Sequence, residues 1–255
     1  EMTVRPIFLI VTLTLAISVP ADDFRVAAAS DLTFALPEIV SGFEKQTGHT
    51  VRVTYGSSGN FFAQMQNGAP FDVFLSADSE YPRRLEKAGL TDTPVIYAIG
   101  RIVIWAPKSR KLNVAERGAQ ALRDPSIRKI AIANPRHAPY GRAAEAALKN
   151  LGFYEQLASK LVLGENISQT AQFVQSGNAD VGIIALSLAQ APAMRQSGEY
   201  WLIPENAHPR LEQAAAIRKS SPHGQAASQF LLYLRGPDAR AALRRHGFEL
   251  PEAQP

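Results

Sequence analysis

Residues 26–31 read Val26-Ala27-Ala28-Ala29-Ser30-Asp31, an apolar run that ends in a serine and precedes a helical pattern. A second junction of this kind, Tyr55-Gly56-Ser57-Ser58-Gly59-Asn60, follows the alternating run 51–55. A helix start offers unpaired N–H groups and the positive end of a dipole, and serine adds donors without charge. Two such junctions that face each other predict a neutral site for an anion.

Strand-like and helix-like patterns alternate along the chain. Short apolar runs predict strands at 24–29, 51–55, 73–75, 129–133, 161–163, 181–185 and 201–203. Helical patterns separate most of these runs, which is typical of an α/β fold with mainly parallel sheets covered by helices. Two longer stretches, 96–105 and 211–219, predict chain crossings between two lobes. Ligands of open α/β sheets bind beyond the carboxyl ends of the strands, where both serine junctions fall.

Composition excludes several classes of function. The 255 residues carry a formal net charge of +4, and the densest basic cluster, 235–245, lies in an amphipathic helical pattern. That pattern favours a solvated helix face, so we expect no nucleic-acid partner. The chain has no cysteine, which excludes disulfides, thiol catalysis and cysteine-based metal sites.

The N-terminal segment differs from the rest of the chain. A short basic start at 2–5 is followed by an apolar run at 7–19 and by Val19-Pro20-Ala21, small residues of the kind that a signal peptidase reads. We expect residues 1–21 to be a cleaved signal peptide, because the apolar run is too short to span a bilayer. The alternative is a buried N-terminal helix. The absence of an N-terminal cysteine argues against a lipid anchor, so we expect a periplasmic protein.

Two further junctions run from a strand into a helix. The first, 134–141, contains two prolines that stiffen the loop and places Tyr140 at a helix start. The second is Gly164-Glu165-Asn166-Ile167-Ser168. Four junctions, two from each half of the chain, fit one small ion. The competing interpretations are that Ser30 is a helix N-cap and that 56–59 is a plain turn.

Enzyme motifs are weak in this sequence. Gly56-Ser57-Ser58-Gly59 is not a G-x-S-x-G elbow, because its second glycine comes one residue early. The five histidines show no metal-ligand pairing, although His137 could meet a serine in space, and no nucleotide-binding motif occurs. We therefore expect a protein that is not an enzyme and has no cofactor, and a secreted serine hydrolase remains a remote alternative.

In several stretches the chain resembles the periplasmic molybdate-binding proteins that supply ABC transporters. The matching stretches are Ala27-Ala28-Ala29-Ser30, Tyr55-Gly56-Ser57-Ser58-Gly59, Asn67-Gly68-Ala69-Pro70, Ser76-Ala77-Asp78, Asn134-Pro135, Ala138-Pro139-Tyr140-Gly141, Asp180-Val181-Gly182 and Gly236-Pro237. The resemblance implies two α/β lobes, each a mostly parallel sheet flanked by helices, joined by a hinge of crossing strands. On that basis 22–101 and 207–255 form one lobe and 102–206 the other.

The resemblance also implies the ligands. Carried over position by position, the hydroxyls of Ser30 and Ser58 and the main-chain N–H groups of Asp31, Tyr140 and Ile167 would bind molybdate, and tungstate by the same chemistry. One branch of that family adds a tyrosine hydroxyl where this chain has Ala185. Asp31 is unusual so near an anion, and its carboxylate is expected to point away, helped by its place in the first turn of a helix.

The same resemblance implies the biological partners. An ABC transporter permease would receive the oxyanion from a monomeric binding protein, and no bare metal cation would be bound. The main alternative is a binding protein for another tetrahedral oxyanion, such as sulfate or phosphate. A ferric-ion binder would need clustered tyrosines and carboxylates, which the four junctions do not contain.

Overall fold

The computed structural model describes residues 21–252. The predicted signal peptide lies outside these described residues, except for Ala21. Ten strands form two sheets: β1 Asp23–Ala29, β2 Thr50–Gly56, β3 Val73–Ser76, β4 Val95–Gly100, β5 Ile102–Pro107, β6 Ile130–Ala133, β7 Leu161–Gly164, β8 Val181–Ala185, β9 Gly198–Leu202 and β10 Leu211–Ile217. None of the helices in the described part of the chain has the length and apolar character to span a membrane.

Helices separate most of the strands and cover the sheets. They are α1 Leu36–Thr47, α2 Ser58–Gln66, α3 Glu80–Lys87, α4 Val114–Arg117, α5 Pro139–Asn150, α6 Tyr154–Leu157, α7 Ile167–Gln175, α8 Leu186–Ala189, α9 Pro192–Ser197, α10 Gly224–Leu234 and α11 Pro237–Arg245. One turn of 3₁₀ helix at Ser30–Leu32 follows β1. Ser58 and Tyr140 lie in the first turns of α2 and α5.

Each lobe is built on one five-stranded sheet. The first has the order β2-β1-β3-β10-β4 and the second β7-β6-β8-β5-β9. β1 pairs in parallel with β2 and β3, and β6 in parallel with β7 and β8. β10 and β5 run antiparallel to their neighbours, so both sheets are mixed. The predicted α/β fold of two lobes is confirmed.

The crossings between the sheets only partly follow the prediction. The stretch 96–105 divides at Arg101 into β4 of the first sheet and β5 of the second, as a crossing requires. The prediction that the stretch 211–219 crosses between the lobes was wrong, because β10 lies wholly in the first sheet. The chain returns to that sheet before β10, in the segment between β9 and β10. The long apolar character of 211–219 reflects burial between β3 and β4 instead.

The cores hold the carboxyl ends of the strands in place. In the first lobe Phe24, Phe43 and Phe230 pack edge to face, with ring centroids 5.2–6.1 Å apart. In the second lobe Trp105 is buried against Gly198, where a Cβ atom would lie 2.0 Å from the indole ring. Dense packing of this kind makes each sheet a rigid frame for the loops that follow its strands.

Candidate functional site

A small cavity lies between the two lobes, at the carboxyl ends of the central strands. Its lining residues are Ala29, Ser30, Asp31, Gly56, Ser57, Ser58, Ala77, Ala138, Pro139, Tyr140 and Ile167. All five residues predicted from the sequence therefore line one cavity. The first lobe contributes Ser30, Asp31 and Ser58, and the second contributes Tyr140 and Ile167.

Four helical starts converge on this cavity. The 3₁₀ turn begins at Ser30, α2 at Ser58, α5 at Pro139 and α7 at Ile167. The first N–H groups of a helix have no acceptor within the helix. Within residues 21–252, no main-chain acceptor lies within reach of the N–H groups of Ser58, Tyr140 and Ile167. The cavity is therefore surrounded by main-chain donors that an anion could accept from.

Ser58 carries a hydroxyl whose acceptor side is already used. Its Oγ accepts a hydrogen bond from the N–H of Ala77 at 2.9 Å, and the side chain is buried. A serine hydroxyl has one proton to donate. Because the bond from Ala77 fixes the oxygen without using that proton, the proton remains for a guest in the cavity. Sequence reasoning missed Ala77, which makes no side-chain contribution.

Ser30 is held mainly by the opposite lobe. Its Oγ donates to Oδ1 of Asn166 at 3.2 Å and accepts from the N–H of Ser168 at 3.2 Å. The interpretation of Ser30 as a helix N-cap was wrong, since Ala29 occupies that position and no side chain caps the turn. Asn166 instead caps α7, with Oδ1 accepting from the N–H of Gln169 at 2.9 Å.

Ser57 and His137 form the rim where the lobes meet. The hydroxyl of Ser57 donates to the carbonyl oxygen of His137 at 2.6 Å and lies 2.9 Å from Nδ1 of the same residue. Since the hydroxyl proton is used by the carbonyl, Nδ1 must donate to Oγ. A catalytic base would instead accept the serine proton. The serine–histidine contact that the sequence allowed is thus present, but the imidazole donates to the hydroxyl instead of accepting its proton.

Further contacts hold the lobes together around the cavity. The N–H of Gly59 donates to the carbonyl oxygen of His137 at 2.8 Å. A Cβ atom at Gly59 would lie 2.5 Å from that oxygen, so only glycine permits this approach. On the outer side Arg142 of α5 pairs with Asp78 at 2.5 Å and donates to the hydroxyl of Tyr81 at 3.1 Å. The structure is therefore that of a closed two-lobed protein.

Asp31 is fully buried, and its carboxylate turns toward the hinge strands. Oδ2 accepts from the hydroxyl of Tyr140 at 2.9 Å and from Nε2 of Gln213 in β10, whereas Oδ1 has no hydrogen-bond partner among residues 21–252. Burial raises the pKa of Asp31 from 3.8 to about 6, against the lowering effect of these hydrogen bonds. Sequence reasoning missed Gln213, although a lone amide before the alanine run 214–216 was a readable signal.

The cavity carries little fixed charge. No lysine, arginine or histidine is among its lining residues, and Asp31 is the one acid. Ala185, where a tyrosine was expected in part of the family, is buried at the end of β8 and does not line it. Among the described residues no group of three histidine, aspartate or glutamate side chains could hold a metal cation. The donor set therefore favours a small anion that carries no proton to donate.

Comparisons with known proteins agree with this geometry. Residues 24–249 match the family model described as bacterial extracellular solute-binding protein. The chain is 39% identical to the molybdate-binding protein ModA of Azotobacter vinelandii over 92% of this chain and 93% of that protein. It is 35% identical to ModA of Rhodobacter capsulatus, over 92% and 91%.

A solved structure of a relative has the same fold. The periplasmic molybdate-binding protein of Azotobacter vinelandii superposes with a TM-score of 0.84 at 34% identity, covering 90% of this chain and 100% of that one. The chain belongs to the bacterial extracellular solute-binding proteins, in the family that includes ModA.

Proposed function

We propose that this protein captures molybdate, and tungstate by the same chemistry, and delivers it to the permease of an ABC transporter. The observation that carries the proposal is the convergence of Ser30, Asp31, Ser58, Tyr140 and Ile167 on one cavity without a cationic side chain. The ligands in this proposal are the hydroxyls of the two serines and the main-chain N–H groups of the other three residues. The hydroxyl proton of Ser30, which here is donated to Oδ1 of Asn166, must turn to the anion when it binds. The relatives named for molybdate binding support it.

The chemistry of the guest matches a cavity of donors. Molybdate and tungstate are tetrahedral dianions without a proton at neutral pH, so every oxygen can accept and none needs an acceptor. Each hydrogen bond to a charged group contributes roughly 1.5–3 kcal/mol where water is excluded. Neutral donors can therefore bind the dianion strongly and still release it when the lobes separate.

Two competing oxyanions are rejected for different reasons. Hydrogenphosphate carries a proton that would face another donor, and a buried mismatch of this kind costs about 1–3 kcal/mol. Sulfate matches molybdate in charge and proton count, but its bonds are shorter. A rigid cavity whose donors are fixed by helix starts would leave longer, weaker contacts to the smaller ion.

Delivery to a permease requires that the bound and empty proteins differ. In the proposed arrangement, 22–101 and 207–255 move as one lobe and 102–206 as the other, with the hinge near Arg101 and in the return segment before β10. Ligands from both lobes then make closure depend on the anion. The closed pair of lobes is the surface that the membrane permease recognises. The protein is proposed to act as a periplasmic monomer that is released by signal cleavage.

The serine hydrolase alternative rests on one observation, the 2.9 Å contact between Oγ of Ser57 and Nδ1 of His137. The donation from Ser57 to the carbonyl of His137 opposes it, because the hydroxyl proton does not point to the imidazole. We propose binding without catalysis. Labelling of the purified protein by a fluorophosphonate probe, abolished in Ser57→Ala, would contradict this.

The deciding experiment is a side-by-side calorimetric titration of apo-protein with molybdate, tungstate, sulfate and phosphate. We expect saturable binding of the first two, with sulfate weaker and phosphate without measurable heat. Preferential binding of phosphate or sulfate would replace the proposal by the alternative oxyanion. X-ray scattering on the same samples should show compaction with molybdate, and unchanged dimensions would refute the closure step.

A further inference from the structure

A chain of hydrogen-bonded polar side chains lies behind the cavity, on the hinge side. Tyr140 of α5 donates to Asp31, Gln213 of β10 donates to the same carboxylate oxygen, and Tyr97 of β4 donates to Oε1 of Gln213 at 2.8 Å. All four residues are buried. Nε2 of Gln213 also lies 3.1 Å from the hydroxyl of Tyr140. Four separate elements, from both lobes, thus meet at one carboxyl group.

The carboxyl group of Asp31 would oppose anion binding at the proposed site if it faced the cavity. The N–H of Asp31 is a proposed ligand of a dianion, while the side chain of the same residue carries an acid. A carboxylate that swung toward the cavity would repel the dianion and compete for the same N–H donors. The N–H groups of Asp31 and Leu32 already lie close enough to help lower the pKa of this carboxyl against its burial.

No cationic side chain among residues 21–252 pairs with the carboxyl group of Asp31. Within residues 21–252 none of the ion pairs involves Asp31, and the titratable groups that face it are Tyr97 from β4 and Tyr140 from α5. Burial raises the pKa of both tyrosines well above their ordinary value, so both remain neutral donors. The neighbouring 3₁₀ turn, α7 and α8 contribute no other ionisable side chain.

We propose that Tyr140 and Gln213 are positioning residues that hold the carboxyl group of Asp31 on the hinge side of the cavity, away from the bound oxyanion. This inference rests on the proposed function. Tyr140 then has two roles: its main-chain N–H faces the guest, and its hydroxyl restrains the acid. Because Tyr140 belongs to the second lobe and Asp31 to the first, the restraint is complete only when the lobes close.

Gly100 provides the space for this arrangement. It ends β4, and a Cβ atom there would lie 2.3 Å from the hydroxyl of Tyr140 and 3.1 Å from Nε2 of Gln213. Its backbone φ is not in the left-handed region, so conformation alone does not require glycine. The missing side chain at Gly100 therefore makes room for the two donors, and this position is expected to affect anion binding without touching the anion.

The test is a double-mutant cycle read by calorimetric titration with molybdate at pH about 8. Tyr140→Phe removes the restraining hydroxyl but keeps the ring and the main-chain N–H. We expect it to weaken molybdate binding about tenfold. Asp31→Asn keeps the shape of the side chain and removes the charge. We expect the Asp31→Asn, Tyr140→Phe double variant to bind as well as Asp31→Asn alone.

Tyr81→Phe is the matched control. It also removes a tyrosine hydroxyl that bonds across the lobes, to Arg142, but does not contact Asp31. Any loss of affinity in Tyr81→Phe should persist in the Asp31→Asn background. A merely structural role of Tyr140 predicts the same persistence for Tyr140→Phe, and that result would overturn the inference. Unchanged binding in Tyr140→Phe would overturn it equally.

A pH profile provides a second readout that does not need a Tyr140 variant to fold. Molybdate affinity of the wild-type protein should fall as pH rises from about 6 to about 8, because the dianion disfavours the ionised carboxylate of Asp31. Asp31→Asn should show a flat profile, and parallel profiles would count against the inference. Failure of the wild-type protein to bind molybdate would instead refute the proposed function, so the two failures are distinguishable.

Discussion

The two serine junctions of the first lobe look alike in sequence and differ in what fixes them. Ser58 is oriented within its own lobe, by the N–H of Ala77. Ser30 is oriented by the other lobe, through Asn166 and Ser168. In the proposed closure, the hydroxyl of Ser58 is oriented before the lobes meet, whereas the contacts that orient Ser30 form only when they close.

The contrast extends to the main chain around the two junctions. The carbonyl oxygen of Ser30 accepts from the hydroxyl of Ser168 at 2.8 Å, and that of Asp31 accepts from the hydroxyl of Ser187 at 2.8 Å. Near Ser58 the contact between the lobes is instead the approach of Gly59 to the carbonyl of His137. The first junction is thus held by side chains of the second lobe, and the second by the N–H of Gly59 and the hydroxyl of Ser57, which both donate to the carbonyl oxygen of His137.

Of the substitutions considered, Gly59→Ala should reduce molybdate binding most, because it acts where the two lobes meet. Its Cβ atom would lie 2.5 Å from the carbonyl oxygen of His137 and 2.7 Å from the hydroxyl of Tyr81, so the lobes cannot close fully. We expect molybdate affinity to fall about a hundredfold. Scattering should no longer show compaction. Gly224→Ala is the control, because nothing lies within 4 Å of a Cβ atom there.

Ser58→Ala tests the junction that is fixed within its own lobe. It removes one hydrogen bond to a charged guest and leaves the N–H of Ala77 without its acceptor. The expected loss of affinity is tenfold or more, from about 1.5–3 kcal/mol, with compaction retained at saturating molybdate. Calorimetry measures the first and scattering the second. Ser228→Ala, at an exposed serine of α10, should change neither. Equal affinity in Ser58→Ala and wild type would remove Ser58 from the site.

Ser30→Ala tests the junction that depends on closure. The loss should be smaller, about fivefold, because Asn166 still caps α7 and the main-chain donors of the turn remain. Ser168→Ala removes the bond to the carbonyl of Ser30 without touching the cavity lining. We expect Ser168→Ala to show incomplete compaction with molybdate in X-ray scattering. A larger loss of molybdate affinity in Ser30→Ala than in Ser58→Ala would contradict the proposed difference between the two junctions.

A last effect is on stability rather than on affinity and comes from Asp31. Its pKa rises from 3.8 to about 6 on folding, so the unfolded chain releases this proton at lower pH than the folded protein. The stabilising contribution is complete below about pH 4 and is lost as pH rises through about 6. The loss is on the order of 3 kcal/mol. Thermal unfolding of apo-protein should show Asp31→Asn gaining stability relative to wild type across that window, and a constant difference would contradict this.

Most of the site could be predicted from local sequence because it is made of helix starts. A serine or a stiff proline loop between an apolar run and a helical pattern indicates free N–H donors, and this located the four junctions that line one cavity. The resemblance then assigned Ser30, Ser58, Tyr140 and Ile167 within them. The extent of β10 was misread because an apolar run does not reveal whether its strand crosses between sheets or lies within one. Gln213 was missed because its role depends on a partner 182 residues away in the chain.

Periodicity and turn chemistry act over a few residues, so the α/β class and the four junctions could be read from the amino-acid sequence. The two lobes were expected mainly from the resemblance, because one of the two stretches interpreted as crossings lies within a single sheet. Only the tertiary structure decided which hydroxyl is fixed by its own lobe, that Ser57 donates to a carbonyl, and where the carboxyl group of Asp31 lies. Those features depend on atoms brought together from distant segments. Burial at the meeting point of both lobes then sets the charge state of Asp31, which no local pattern encodes.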